Sequence, residues 1–116
     1  AMTIADAVIA VFDSKYTYWV KRPFMMDRSI RTVMPTPNHP SYPAGHSTLS
    51  AAAATILSHY FPEATDTWQA LAREAGLSRV WGGIHFPMDN EQGLILGDRV
   101  AREAIRQLQM TRSKSE

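Results

Sequence analysis

The sequence contains no cysteine, and that one absence removes disulfide bonds, thiolate nucleophiles and cysteine-ligated zinc together. A surplus of charge of one sign is missing too, since 12 Lys and Arg against 11 Asp and Glu leave a net charge of +1. Nothing is left over for tracking a nucleic-acid backbone, so no nucleic-acid partner is expected, and any anion bound here is expected to be small and local. No apolar run is long enough to span a bilayer, so no transmembrane segment is expected. No basic segment followed by an apolar core and a cleavage site marks a signal peptide. With a mean hydropathy of −0.23, the chain is expected to be soluble, with its compartment unassigned. Seven prolines and six glycines are too few for a fibrous or disordered chain. Internal repeats and strand-like alternation are also absent. These exclusions leave one ordinary globular domain of 116 residues, 45% hydrophobic and 20% charged.

Helical spacing dominates what is present. Between Thr3 and about Val20, the residues Ile4, Val8, Val11, Phe12, Tyr18 and Trp19 recur at helical intervals, predicting an amphipathic helix with Lys15 on its apolar stripe. From Arg22 to Gly45, Pro23, Pro35, Pro37, Pro40 and Pro43 remove amide donors and fix φ, so a long loop without regular elements is expected. Met25, Met26, Ile30, Val33, Met34 and Tyr42 equip that loop to pack down. A second helix is expected from around His46 through Leu49, Ala51, Ile56, Leu57 and Tyr60 to near Pro62, with His46 in its first turn. A third, roughly Thr65 to Arg79, carries Trp68, Leu71, Ala72, Ala75 and Arg79 along one face, with Thr65 or Asp66 as its cap. After Gly82 and Gly83, Asp89 followed three positions later by Gln92 has the form of a capping box opening a fourth helix. That helix reads Leu94, Gly97, Ala101, Ala104, Ile105 and Leu108, with Arg102 and Arg106 outward. The expected fold is all-α, a four-helix-bundle core in one domain over 1–110, with a polar tail over 111–116 expected to fray.

Three ionisable residues, Lys15, His46 and Arg79, stand where the periodicity places apolar side chains, and a buried charge without compensation is costly. Pairing with a buried carboxylate is the simplest compensation for any one of them. Only Asp89 has an obvious place nearby, four residues after His85, where a carboxylate fixes the tautomer of an imidazole. With Arg22 and His85 added, five cationic or potentially cationic groups come from separate segments, and Gly45 lies at a helix N-terminus whose free amides also favour an anion. The reading is a pocket for a tetrahedral oxyanion. Ser78, Gly82 and Gly83 read as structural, and His59 as a surface histidine on the outer side of the second helix.

Three strings in order sharpen this: KYTYWVKRP from Lys15 to Pro23, PAGH from Pro43 to His46, and SRVWGGIHFPMD from Ser78 to Asp89. Together they resemble the signature of the superfamily shared by vanadium-dependent haloperoxidases and type 2 phosphatidic acid phosphatases with their bacterial acid phosphatase relatives. The resemblance spans Lys15 to Asp89 and implies a four-helix-bundle core. It implies that Lys15, Arg22 and Arg79 hold the equatorial oxygens of an oxyanion with help from the Gly45 amide, and that His85 is the central ligand. In a haloperoxidase His85 binds the vanadium of vanadate, which is the implied cofactor, and Lys15 polarises bound peroxide for halide oxidation. In a phosphatase His85 attacks the phosphorus of a phosphomonoester, His46 protonates the leaving oxygen, and Asp89 orients His85. Phosphate or sulfate is expected to take the same site. His39 opens HPSYPAGH, a run similar to that of vanadium bromoperoxidases, where a histidine lies beside the cofactor. This string and GGIHFPMDNEQG make the haloperoxidase-like branch the leading reading, ahead of a phosphohistidine phosphatase and of an inactive oxyanion-binding remnant.

Two departures stand out. Ala44 occupies a position where the family carries serine, which removes one hydrogen bond to the oxyanion. The chain is also short for the family, which implies a truncated version of a larger bundle. Its exposed helix faces are then expected to be covered either by further N-terminal helices or by a second copy in a homo-oligomer.

Overall fold

The computed structural model describes residues 1–114. In chain order it contains α1 (Met2–Tyr18), the single turn α2 (Pro23–Met26), α3 (Gly45–Tyr60), a 3-10 turn at Pro62–Ala64, α4 (Thr65–Trp81) and α5 (Pro87–Ser113). No strand occurs among the described residues, so the all-α expectation holds. Helix α3 is central and packs against α1, α4 and α5. Among the described residues no helix is long and apolar enough to cross a membrane.

The core is built from small residues rather than large ones. Ala7, Ala51, Ala52, Ala54, Ala72 and Ala101 are buried beside Val11 and Ile84. Small side chains let helix backbones approach closely, and two glycines of α5 carry this to its limit. A Cβ at Gly97 would overlap the Thr48 carbonyl oxygen and stand 2.9 Å from the Ala52 nitrogen, and one at Gly93 would lie 2.7 Å from the Ala44 carbonyl oxygen. Polar clasps lock the same seam, with Ser47 Oγ donating to Asn90 Oδ1 at 2.8 Å and Thr55 Oγ1 to Asp98 Oδ1 at 2.8 Å. A buried polar pair satisfied in this way fixes the register of two helices where apolar contacts alone would allow sliding.

Several expectations from periodicity are corrected. Helix α1 stops at Tyr18, because Trp19 turns into the left-handed region (φ 51°, ψ 40°) and its amide closes on the Lys15 carbonyl at 3.0 Å. The buried face of α1 is Ala7, Val11 and Lys15. Tyr18 and Trp19 are instead 62% and 66% exposed, and Val8 and Phe12 lie at the surface. The proline-rich loop does contain one regular turn, because Pro23 at its first position needs no amide partner. Helix α4 begins after Ala64 with no side-chain cap, while Thr65 Oγ1 bonds back to the Pro62 carbonyl. Leu71 is exposed, and α4 instead buries Ala72 and Gly76. Asp89 is not the first residue of its capping box. Phe86 precedes the helix, and Asp89, in its first turn, reaches back to the Phe86 amide at 2.9 Å without Gln92. Helix α5 continues through Ser113 where fraying was expected after Met110. Ser115 and Glu116 lie outside the described residues.

Candidate active site

The last turn of α1 delivers Lys15, fully buried, to the 40–41 segment. Its Nζ donates to the carbonyl oxygens of Pro40 at 2.7 Å and Ser41 at 3.1 Å. Carbonyl dipoles, not a paired carboxylate, therefore accept the ammonium directly. Arg22, immediately before α2, spreads its guanidinium across two chain segments. Its Nε donates to the His39 carbonyl at 3.0 Å and its Nη1 to the Ile84 carbonyl at 2.8 Å. Nη1 also meets His85 Nε2 at 3.1 Å, and Nη2 meets His39 Nδ1 at 3.2 Å. Backbone bonds secure this long loop: Ser41 amide to Val20 carbonyl, Ala44 amide to Asp89 carbonyl, and Val33 amide to Gly82 carbonyl.

The protonation of His85 follows from its neighbours. Nδ1 lies 3.0 Å from Asp89 Oδ2, which is only an acceptor, while Nε2 faces Arg22, which is only a donor. The proton therefore sits on Nδ1, and Nε2 presents its lone pair. Burial, the largest influence, lowers the His85 pKa below the ordinary imidazole value, and Arg22 and Lys15 push the same way against Asp89. Burial alone would raise the Asp89 carboxyl. Hydrogen bonds from His85, Ser41 and the Phe86 amide outweigh it and hold Asp89 below the usual carboxylate range. At neutral pH this is a neutral imidazole oriented by an anionic carboxylate.

Ser41 was not among the residues singled out from the sequence. It is fully buried, donates through Oγ to Asp89 Oδ2 at 2.5 Å, and offers its carbonyl to Lys15. It thus ties the lysine to the carboxylate that orients His85. Its place inside HPSYPAGH was the only available signal, because Asp89 stands 48 positions away.

The remaining site residues gather at the start of α3. Ala44 precedes the helix and provides no side-chain cap, so the first amides of α3 lack a side-chain acceptor. A Cβ at Gly45 would meet nothing within 4 Å, so space lies open there. Arg79, in the last turn of α4, is half-buried rather than embedded in a core. Its Nη1 rests on Met34 Sδ at 3.1 Å, and its Nε is buried without a hydrogen-bond partner among the described residues. His46 is exposed, not the buried stripe residue that its spacing suggested. Partial burial of its ring, then the Arg79 charge, lower its pKa. The structure thus joins Lys15, Arg22, His39, His85 and Asp89 in one hydrogen-bonded network. The Arg79 charge acts on His46, and the backbone bond from the Ile84 amide to the Arg79 carbonyl ties the end of α4 to the segment that carries His85. His59 is exposed, as expected.

A cationic donor set around an oriented imidazole suits an anion. Among the described residues no group of three or more His, Asp or Glu side chains is placed to hold a metal cation. The chain superposes on a bacterial vanadium-dependent iodoperoxidase with a TM-score of 0.80 and 28% identity, over 90% of this chain and 30% of that one. It superposes on a transmembrane PAP2-type phosphatidylglycerolphosphate phosphatase from Bacillus subtilis with a TM-score of 0.67 and 19% identity, over 95% of this chain and 57% of that one, which is a likeness of fold. In sequence it is 32% identical over 57 residues to the bacitracin transport permease protein BcrC of Bacillus licheniformis, covering 49% of this chain and 28% of that protein. The chain therefore spans less than two thirds of the length of each of these relatives. The PAP2 superfamily profile matches residues 1–113, nearly the whole chain, and with the motif residues assembled as described, the chain belongs to the PAP2 superfamily.

Proposed function

We propose that this chain carries the oxyanion site of a vanadate-dependent, haloperoxidase-like enzyme, with His85 Nε2 as the protein atom that meets the central atom of the anion. The observation that carries the reading is the His85 tautomer, since Nδ1–H on Asp89 leaves the Nε2 lone pair facing the cations. Similarity to the iodoperoxidase is in keeping with this reading. The residues present fit vanadate: the Arg79 Nε is a buried donor without a partner, α3 opens on uncapped amides, and space is free at Gly45. His85, Lys15, Arg22, Arg79 and the Gly45 amide would hold it. Bound there, vanadate supplies the activation of peroxide for halide oxidation. Asp89 keeps the proton on Nδ1 and so keeps Nε2 a ligand. Arg22 Nη1 already donates to that lone pair, and with an oxyanion held at His85 it would donate to an anion oxygen instead. Lys15 adds a further positive charge, and exposed His46 exchanges protons with solvent.

The same neutral, Asp-oriented imidazole favours a second reading, phosphomonoester hydrolysis. His85 Nε2 would attack phosphorus, forming the N–P bond as the ester P–O bond breaks. His46 would give the leaving oxygen its proton, and water would later cleave the phosphohistidine to phosphate, restoring both histidines. A preparation of the full chain divided between two assays tests both. One half receives vanadate, peroxide and bromide or iodide, and the other receives 4-nitrophenyl phosphate. Vanadate-dependent halide oxidation is the expected result. Ester cleavage alone would transfer the conclusion to the phosphatase, and anion binding with neither activity would make the chain an oxyanion-binding remnant.

Lys15 makes anion binding depend on pH. Burial first, then Arg22, lower its pKa to about 8 against the opposing pull of Asp89. Sulfate stays fully ionised across this range, so its stabilising effect is expected to fall as pH rises through about 8 and Lys15 loses its charge. Without anion the sign reverses. Between about 8 and 10.5 the folded chain holds fewer protons on Lys15 than the unfolded one, so the lysine's contribution to stability rises with pH. Thermal melts at pH 7 and 9.5, with and without sulfate, check both trends, and Lys15→Met is expected to abolish them. A sulfate effect that grows at high pH would remove Lys15 from the anion site.

A further inference from the structure

We propose that the cavity between the end of α1, helix α2 and the 36–40 segment is a further binding site beside His85, for a small aromatic molecule bearing an anionic or phenolic oxygen. The proposal rests on the reading of His85 as the reactive centre.

The cavity measures about 370 Å³, near the lower end of the range usual for small-molecule sites. Tyr16, Trp19, Phe24 and Met25 line it together with Arg22 and His39. Arg22 is the link to the chemistry, because the guanidinium that walls the cavity also donates to His85 Nε2. A molecule seated here is therefore one side chain away from the proposed reactive atom.

The end of α1 carries the cavity's largest ring. Trp19 caps α1 in the left-handed region (φ 51°), and its indole is 66% exposed. The indole stands edge-on to Tyr16, with ring centroids 5.3 Å apart, and Phe12 stands edge-on to His39 at 5.2 Å. Rings crossed in this way offer both faces and edges to a further ring. The Met25 thioether adapts to an aromatic outline better than a branched side chain does.

Charge decides the rest of the ligand. Lys21 and Arg22 are among the lining residues, and none of these is Asp or Glu. The complementary molecule has an apolar aromatic body with oxygen-borne negative charge at one end. A larger cavity of about 750 Å³ between α1, α3 and α5 includes Leu108 in its lining, contains none of the proposed site residues, and serves as the internal control.

The test is a calorimetric titration of the full chain with 4-hydroxybenzoate and with cyclohexanecarboxylate, which carries the charge without the aromatic ring. Saturable binding of 4-hydroxybenzoate is expected, with the cyclohexane acid weaker by about tenfold or more, the scale of one good aromatic contact with its buried area. Trp19→Ala and Met25→Ser, both at exposed positions, are each expected to weaken binding, and Leu108→Ala to leave it unchanged. No saturable binding, equal affinity for the two acids, or affinity insensitive to both Trp19→Ala and Met25→Ser would overturn the proposal. The titration involves no turnover. A chain inactive in both assays but binding in this pattern would overturn the functional reading alone, and an active chain without the pattern would overturn the cavity alone.

Discussion

His85→Ala is expected to reduce turnover by about a thousandfold or more in whichever assay the full chain is active, with the helical fold retained. The size of the effect follows from the geometry. His85 is the one imidazole whose Nδ1 proton is held by a buried carboxylate, so it alone offers an oriented Nε2 lone pair to the cation-lined space. His39 Nδ1 instead lies between Arg22 Nη2 at 3.2 Å and the Pro40 carbonyl oxygen at 3.3 Å, and His46 is exposed. The fold is expected to survive because Asp89 Oδ2 keeps its bonds from Ser41 and the Phe86 amide, and Arg22 keeps the Ile84 carbonyl. Steady-state assays paired with circular dichroism check this, and a folded variant that retained substantial activity would remove His85 from its role.

The largest expected loss of stability comes from a single methyl group. Gly97→Ala places a Cβ on the Thr48 carbonyl oxygen, which is backbone and cannot rotate aside. Helices α3 and α5 must separate, and overpacking of this kind is expected to lower Tm by roughly 10 °C or more, outweighing the gain in helix propensity. Activity is expected to fall with it, since α3 carries Gly45 and His46, α5 carries Asp89, and the bond from the Ala44 amide to the Asp89 carbonyl spans the gap. Gly76→Ala is expected to cost less, because the overlapped atoms belong to the side chains of Asn90 and Ser47. Gly45→Ala meets open space and is expected to leave stability nearly unchanged. Thermal melts of the three variants give the order, and a Gly97→Ala protein as stable as its parent would contradict the close approach of α3 and α5.

These two predictions draw on different levels of information. The i,i+4 spacing of His85 and Asp89, the helical stripes of α1, α4 and α5, and the proline-rich break between α1 and α3 are local properties. Backbone geometry alone converts such spacings into shared faces, so the sequence by itself determined the all-α class and singled out Lys15, Arg22, His85 and Asp89, which the fold brings into one hydrogen-bonded network. Periodicity ranks residues by hydrophobicity, however, and in this bundle size decided burial. Alanines and glycines lie inside because the helices meet at backbone distance, while Phe12, Tyr18 and Trp19 remain at the surface. Lys15 kept its buried place, but its partners are carbonyls 25 and 26 positions away. The role of Ser41, the exposure of His46 and the aromatic cavity beside Arg22 were likewise decided only by the tertiary structure. Each depends on segments that lie far apart along the chain and meet only when the proline-rich loop folds back across α1 and α5, and no local pattern records such a meeting.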